Sequence, residues 1–408
     1  MKKNLGFIST TKMAFSSIIG QLITYSMMPI LSRIFDAQAF SLYADFFAWV
    51  VPLSILISLR IEYAIPAQSD KNNQFSTAFD AIAISIINTV ILSIPFTAYA
   101  LLIKTEVWYY ALIPLASLLN TLPQILFFLV TKQQKTNQAG LYRVANSLSN
   151  QVISIFFGLL LKDVLGLILG FILGQMIGVL ILSFGHIQNI LQQKRKYIFR
   201  EWVTQYKAFI FFNTPMGVIE VMQISAIIGF IGFYYGDPLP GYFYLVWRVL
   251  QAPINLISNN VYLVQYHHCS ELKNQQLPYD HLVRNQFFLL FIFALLFTIT
   301  ILFFGEAIFS VFLGDQYQQA GIIAKYVIVI FAMQFAVNPF SFVAILEKKQ
   351  STLLLRFTLQ FLIHSASFII LSTAQVRFEN TLLIYSSIGA FFHILNFLWY
   401  HKLAKNAN

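Results

Sequence analysis

Among the charged side chains within long apolar stretches or at their ends are Arg33, Asp45, Arg60, Glu220, Arg248 and Lys325. Charge in such a setting is costly and persists where it meets a partner or a polar cavity. A guanidinium stays charged when desolvated and bonds phosphate oxygens in a bidentate fork. Arg248, Arg33, Arg60 and Lys325 are therefore expected to hold an anionic group. A buried carboxylate can carry a proton or take part in a sodium site, which makes Glu220 and Asp45 the candidates for ion coupling. Arg248 and Glu220 lie too deep to reach water easily, whereas Arg33, Arg60, Arg143 and Arg356 stand near helix ends, where a long side chain can snorkel. Asp45 and Arg248 lie at similar depths in corresponding spans. A plain structural ion pair between them is the alternative to separate roles.

Other chemistries lack their residues. No G-x-x-x-x-G-K-[ST] loop is present for nucleotide phosphates, and no H-E-x-x-H or paired CxxC for a metal. No D-x-D stands ready for a metal-bound nucleotide sugar. His267 and His268 have no acidic or thiol partner at ligand spacing. The single Cys269 excludes a disulfide framework. No cofactor is expected beyond a coupling proton or sodium ion, and the chain reads as a transporter rather than an enzyme.

The elements that must position these residues are membrane helices. Hydrophobic residues make up 58% of the 408 and charged residues only 10%, against about 25% charged in a soluble domain. A spanning helix needs about 20 mostly apolar residues. Twelve stretches qualify: Met13–Phe35, Ala39–Leu59, Thr77–Ile103, Val107–Val130, Leu141–Leu161, Val164–His186, Phe209–Gly236, Gly241–Tyr266, Val283–Gly305, Gly321–Leu346, Ser351–Thr373 and Thr381–His401. Backbone groups in hydrocarbon must bond within the segment, so long continuous spans are helices. The basic N-terminus runs into the first span with no small-residue cleavage site and is read as a retained helix.

Most of the 26 basic residues fall on one side of these spans, the side of both termini; Lys104, Lys162 and Arg377 mark the other. The positive-inside rule places both termini in the cytoplasm. The net charge of +10 sits in loops between spans and does not suggest nucleic acid. A basic connector, 191–208, divides six helices (1–190) from six (209–408). The halves repeat: Asp36, Tyr43 and Pro52 match Asp237, Tyr244 and Pro253 at a constant shift, and Lys135 and Arg143 match Lys348 and Arg356. Repeats of even helix number share orientation, about an axis along the membrane normal. Gly166, Gly170, Gly174 and Gly178 fall one per turn on one face and imply close helix packing. Pro residues inside the spans, among them Pro215, Pro253 and Pro339, imply bends.

The stretch PILSRIFD at Pro29–Asp36, followed by FSLY at Phe40–Tyr43, resembles the P-x-L-x-R-L-[YF] and F-G-x-[YF] segments of Wzx-type polysaccharide flippases, with Ser41 in place of the common Gly. SLRIEYAI at Ser58–Ile65 is similar to their S-L-R-Y-E-x-A-I segment, and GYFY at Gly241–Tyr244 through Pro253 to their eighth helix. The resemblance implies the superfamily that also holds multidrug exporters and the peptidoglycan-precursor flippase. It implies a fold of two six-helix bundles in a V around a central cavity. The implied task is moving undecaprenyl-pyrophosphate-linked oligosaccharide across the bacterial inner membrane for O-antigen or capsule assembly, by alternating access coupled to an ion gradient. The expected partners are the lipid-linked oligosaccharide, membrane lipid and a glycan polymerase machinery. The rival readings are a multidrug exporter of the same superfamily, an integral membrane sugar polymerase or acyltransferase, and a non-transporting scaffold of glycan assembly. Short outer loops and absent catalytic motifs weigh against the enzyme, and the cationic balance within the spans weighs against the drug exporter.

Overall fold

The computed structural model describes residues 2–102, 108–193 and 199–405. Lys104, Lys194, Arg195 and Lys196, which served the topology above, lie outside the described residues, as does part of the 191–208 connector. The described chain is helical throughout, without strands. Twelve long helices appear: α1 (Lys2–Ile34), α2 (Ala37–Ser58), α3 (Lys71–Leu102), α4 (Ile113–Lys132), α5 (Thr136–Leu161), α6 (Leu165–Ser183), α7 (Thr214–Tyr235), α8 (Leu239–Pro253), α9 (Asp280–Leu313), α10 (Gln318–Val337), α11 (Gln350–Thr373) and α12 (Phe378–Lys405). Ten helices among the described residues are long and apolar enough to cross a membrane, all of these but α1 and α8. With Phe233, Phe303 and Val311 each at least three-quarters exposed, such faces suit hydrocarbon and not water. The chain is an all-α integral membrane protein.

Two compact units emerge. The first holds Met1–Phe35 with Leu42–Ser225, the second Asp36–Ser41 with Ala226–Asn408. Contacts thus group Phe209–Ser225 with the first unit, where the sequence pattern opens the second bundle with them. In the first unit the glycine stripe of α6 lies on α5. A Cβ at Gly166 would stand 2.8 Å from the Gly158 nitrogen, one at Gly170 2.8 Å from the Ser154 nitrogen, and one at Gly174 2.9 Å from the Asn150 Cα. No side chain fits so close an approach, and the Asn146 amide adds a 3.0 Å bond to the Gly174 carbonyl.

The connector is not a simple tether. Its second half is a helix, Phe199–Ala208, whose Trp202 and Tyr206 fall one turn apart and are both buried. They join a buried cluster with Ile61, Phe75, Ala78 and Leu129, and the Tyr206 hydroxyl donates to Asp80 at 2.8 Å.

In the second unit α10 is mostly buried and α9 mostly exposed, so α10 forms the centre and α9 an outer wall. Irregular helix coincides with proline. A π-helical turn, Ile254–Ser258, follows Pro253 and joins α8 to a further helix, Asn259–Asn274. Tight 3-10 turns run through Pro339 after α10. Pro339 has no N–H for the carbonyl four residues back, that of Phe335. The Ser258 hydroxyl occupies that acceptor at 2.9 Å. The start of α8 meets the start of α2: a Cβ at Gly241 would stand 2.6 Å from the Ser41 nitrogen.

Candidate functional site

In the first unit the SLRIE segment makes a sharp turn after α2. Leu59 and Arg60 both take left-handed backbone, φ 50° and 52°, a conformation that costs a non-glycine residue about 1–2 kcal/mol. The Ser58 hydroxyl holds the turn, accepting from the Arg60 nitrogen at 3.1 Å and donating to Glu62 at 3.3 Å. The turn throws the Arg60 guanidinium sideways. It lies 5.1 Å from the Tyr63 ring centre and 3.9 Å from the Glu220 carboxylate. A Cβ at Gly217 would collide with the guanidinium, so glycine on α7 opens the passage by which Arg60 reaches Glu220. The structure therefore brings together one expected anion ligand and one expected coupling acid. Glu62, 3% exposed, lies beside them with its Oε2 unpartnered. Burial raises its pKa, against weaker opposing pulls from hydrogen bonds and the Arg60 charge.

Further along α2, Asp45 accepts a hydrogen bond from the Tyr110 hydroxyl. Tyr109 stacks on Tyr110 at 5.1 Å and Tyr99 meets it edge-on at 5.5 Å. Between Asp45 and Arg60 runs a hydroxyl ladder joining α2 to α4: Thr121 donates to the Ser54 carbonyl at 2.9 Å, and the Asn120 amide to the Ser54 hydroxyl at 3.1 Å. Arg33 is exposed, its guanidinium folded back to the Pro29 carbonyl at 2.6 Å.

In the second unit Lys325 forms an ion pair with Glu306 at 2.5 Å, and the Gln318 amide donates to the same carboxylate at 3.2 Å. Sequence reasoning passes over Glu306, which sits in an otherwise apolar run and shows its partner only when α9 and α10 lie side by side. Arg248 stands about 13 Å along α8 from its start. It is half-buried, and among the described residues it has no hydrogen-bond or ion-pair partner. Asp237, the repeat counterpart of Asp36, accepts from the Ser41 hydroxyl and from the Gln38 amide at 3.0 Å. Ser41, the departure from the resembling glycine, thus has a bond to make. Asp36 caps α2, accepting from the Ala39 nitrogen at 2.8 Å.

No family model and no curated protein matches the chain. Solved structures do. The lipid II flippase MurJ, in an inward closed conformation, superposes with a TM-score of 0.72 at 15% identity, over 98% of this chain and 90% of that one. A MOP superfamily transporter from Pyrococcus furiosus gives 0.66 at 14% identity, over 98% and 96%. An outward-facing multidrug resistance MATE family transporter gives 0.61 at 14% identity, over 98% and 96%. At such identities the likeness is one of fold. The chain has the fold of MOP superfamily transporters, which serves flippases and exporters alike.

Proposed function

We propose that the chain is a flippase that carries undecaprenyl-pyrophosphate-linked oligosaccharide repeat units from the cytoplasmic to the periplasmic leaflet of a bacterial inner membrane. It works by alternating access, driven by a proton or sodium gradient, and delivers the glycan to a polymerase machinery. Both termini face the cytoplasm. The observation that carries this reading is Arg248, a half-buried guanidinium within α8 that has no protein partner among the described residues. A cation in that position calls for an anion from outside the protein, and a pyrophosphate supplies oxygens for its fork.

Acids within or beside the spans are engaged: Asp45 by Tyr110, Glu220 by Arg60 and Glu306 by Lys325. That balance favours an anionic cargo over the cationic drugs of an exporter. Arg60, Arg33 and Lys325 are the further basic residues assigned to the anionic group, and Arg60 and Lys325 must leave Glu220 and Glu306 to meet it. Glu220 and Asp45 are the carboxylates assigned to coupling. An ion arriving at Glu220 competes with Arg60 for it, which ties ion binding to release of a cation.

The test locates the lipid-linked oligosaccharide with a membrane-impermeant sugar probe on spheroplasts. In cells lacking the protein, surface labelling falls while the total lipid-linked pool rises. Arg248→Ala at normal protein level reproduces this with a loss of about thirtyfold or more, matching the 2–5 kcal/mol typical of a lost buried charge contact. Arg248→Lys, which keeps the charge without the fork, falls between. Unchanged labelling with unpolymerised units accumulating outside places the protein after translocation and removes the flippase reading.

A further inference from the structure

The buried face of α11 is polar. Half-buried Arg356 and buried Gln360, His364 and Ser372 follow one another at steps of four or eight residues, with Phe368 filling the remaining turn. Gln360 is 2% exposed and His364 3%. α12 answers with Thr381, Tyr385 and Asn396, all buried. The seam is closed at both ends by hydrogen bonds. Near the end that carries Lys348 and Lys349, the Arg356 guanidinium donates to the Asn396 side chain at 2.7 Å. At the other, the Tyr235 hydroxyl lies 2.8 Å from the Thr381 hydroxyl and donates to the Val376 carbonyl at 3.0 Å.

His364 sits in the middle of this seam, and neither of its ring nitrogens has a hydrogen-bond partner. A neutral imidazole always carries one N–H donor and one acceptor, so both are left unmet at membrane depth. A histidine kept for packing would be expected to bond at least one, since buried polar groups are nearly always paired. Leucine or phenylalanine would fill the same space without the penalty. The ring is enclosed by Tyr385 at 4.7 Å and Phe392 at 6.1 Å, and a Cβ at Gly389 would stand 2.9 Å from its Cε1. His393, half-buried on α12, follows Phe392 and lies one helical turn from Gly389, both of which face the ring.

We propose that His364, with His393 beside it, is an intramembrane proton-binding site of the second unit, and that the proton taken up there is the coupling ion of transport. This rests on the transport reading above and adds a site distinct from Glu220 and Asp45. The geometry selects a proton over a metal or sodium ion. Among the described residues no third His, Cys, Asp or Glu completes a metal site, and the rings that enclose the imidazole, Tyr385 and Phe392, bring no carboxylate of the kind hard cations need. The proton comes from water and binds the lone pair of one ring nitrogen, which makes an imidazolium with two donors. The ionisable groups facing the site are His393, Tyr385 and, farther along, Tyr400 on α12, with Arg356 on α11 itself. From α10 the neighbour is Ile330, and α7 contributes Phe230 and Tyr235 against Phe368. None is a carboxylate, so no fixed negative charge holds the proton in place.

The experiment measures surface display of the lipid-linked glycan on spheroplasts with the proton gradient imposed or collapsed by a protonophore, for wild type, His364→Gln and His364→Leu. Wild-type display depends on the proton gradient. His364→Leu accumulates at least as well as wild type, because two unmet polar atoms leave the core, and both variants lose most of the gradient-dependent part of display. Gradient dependence unchanged in both variants overturns the proposal and leaves the flippase reading intact. Dependence on a sodium gradient alone overturns it as well. Loss of both variants from the membrane assigns His364 a packing role and likewise overturns the proposal. Wild-type cells whose display matches that of cells lacking the protein overturn the flippase reading itself.

Discussion

Single residues in this chain are decided by what stands next to them, and hydropathy says little about that. Asp45 and Arg248 share a depth in the sequence, yet Asp45 is taken by Tyr110, which lies 65 positions away. Lys325 reads as a free cation until α9 brings Glu306 against it. A one-dimensional pattern gives the depth of a side chain and not the face it presents, so Asp45 and Lys325 were legible as charges, while their partners, Glu306 among them, were not. The SLRIE turn shows the same limit. The motif marked the place, but the left-handed backbone at Leu59 and Arg60 and the burial of Glu62 emerge only in three dimensions. Glu62 lies between α2 and α3, outside the spans, and burial raises its pKa above the ordinary 4.5. The folded protein therefore favours the protonated acid. The stability this contributes is fully present below the unfolded-state value and is lost as pH rises through the raised one. Glu62→Gln imitates the protonated form at every pH. Thermal unfolding in detergent should give equal midpoints for wild type and Glu62→Gln at low pH and a higher midpoint for the variant toward neutral pH. A difference that stays constant with pH would mean that Glu62 keeps one protonation state throughout.

Elements were more legible, because a spanning helix is marked by its length and apolarity. In their described residues all twelve expected spans fall mainly on helices, and the four-residue glycine period of α6 correctly marked its contact with α5. The ends were less visible. α1 begins at Lys2 and α3 at Lys71, earlier than the apolar stretches suggested, and the helix continuing α8 runs to Asn274 rather than stopping near Tyr266. Helices continue beyond the hydrocarbon with polar residues that hydropathy ignores. The Phe199–Ala208 helix was hidden in the same way, since two aromatic residues one turn apart in a basic segment are a weak signal. Proline bends were foreseen, but their repair was not. At Pro339 the missing N–H leaves the Phe335 carbonyl without its helical donor, and Ser258, from the π turn after Pro253, supplies one at 2.9 Å. Two prolines on different helices thus meet through one hydroxyl. Ser258→Ala leaves the Phe335 carbonyl buried and unpaired, which costs about 1–3 kcal/mol. A lower unfolding midpoint is expected for this variant, and Ser258→Thr should restore most of it. Equal midpoints for wild type and the alanine variant would show that water serves the carbonyl instead.

For the whole molecule the open quantity is which way it lies in the membrane. The basic residues argue for cytoplasmic termini, and that argument depends on the number of crossings between any two loops. Lys162, between α5 and α6, and Gln276, after the helix that continues α8, are both exposed. Three helices separate them: α6, α7 and α8. α8 is the weak link, because its π turn and polar continuation keep it outside the ten helices that qualify by length and apolarity, although it carries Arg248. The native thiol leaves little background for a labelling experiment. Cys269 is fully buried, burial pushes its pKa up to about 11, and the reactive thiolate is scarce at neutral pH. With α8 spanning, a membrane-impermeant maleimide labels Lys162→Cys on intact spheroplasts and Gln276→Cys only after lysis. The reverse pattern keeps three crossings and inverts the protein, contrary to its charge distribution. Labelling of both from the same side makes the number of crossings even and takes α8 out of the membrane. Arg248 would then be solvated, its missing protein partner would need no anionic lipid to explain it, and the case for a pyrophosphate cargo would lose the residue on which it stands.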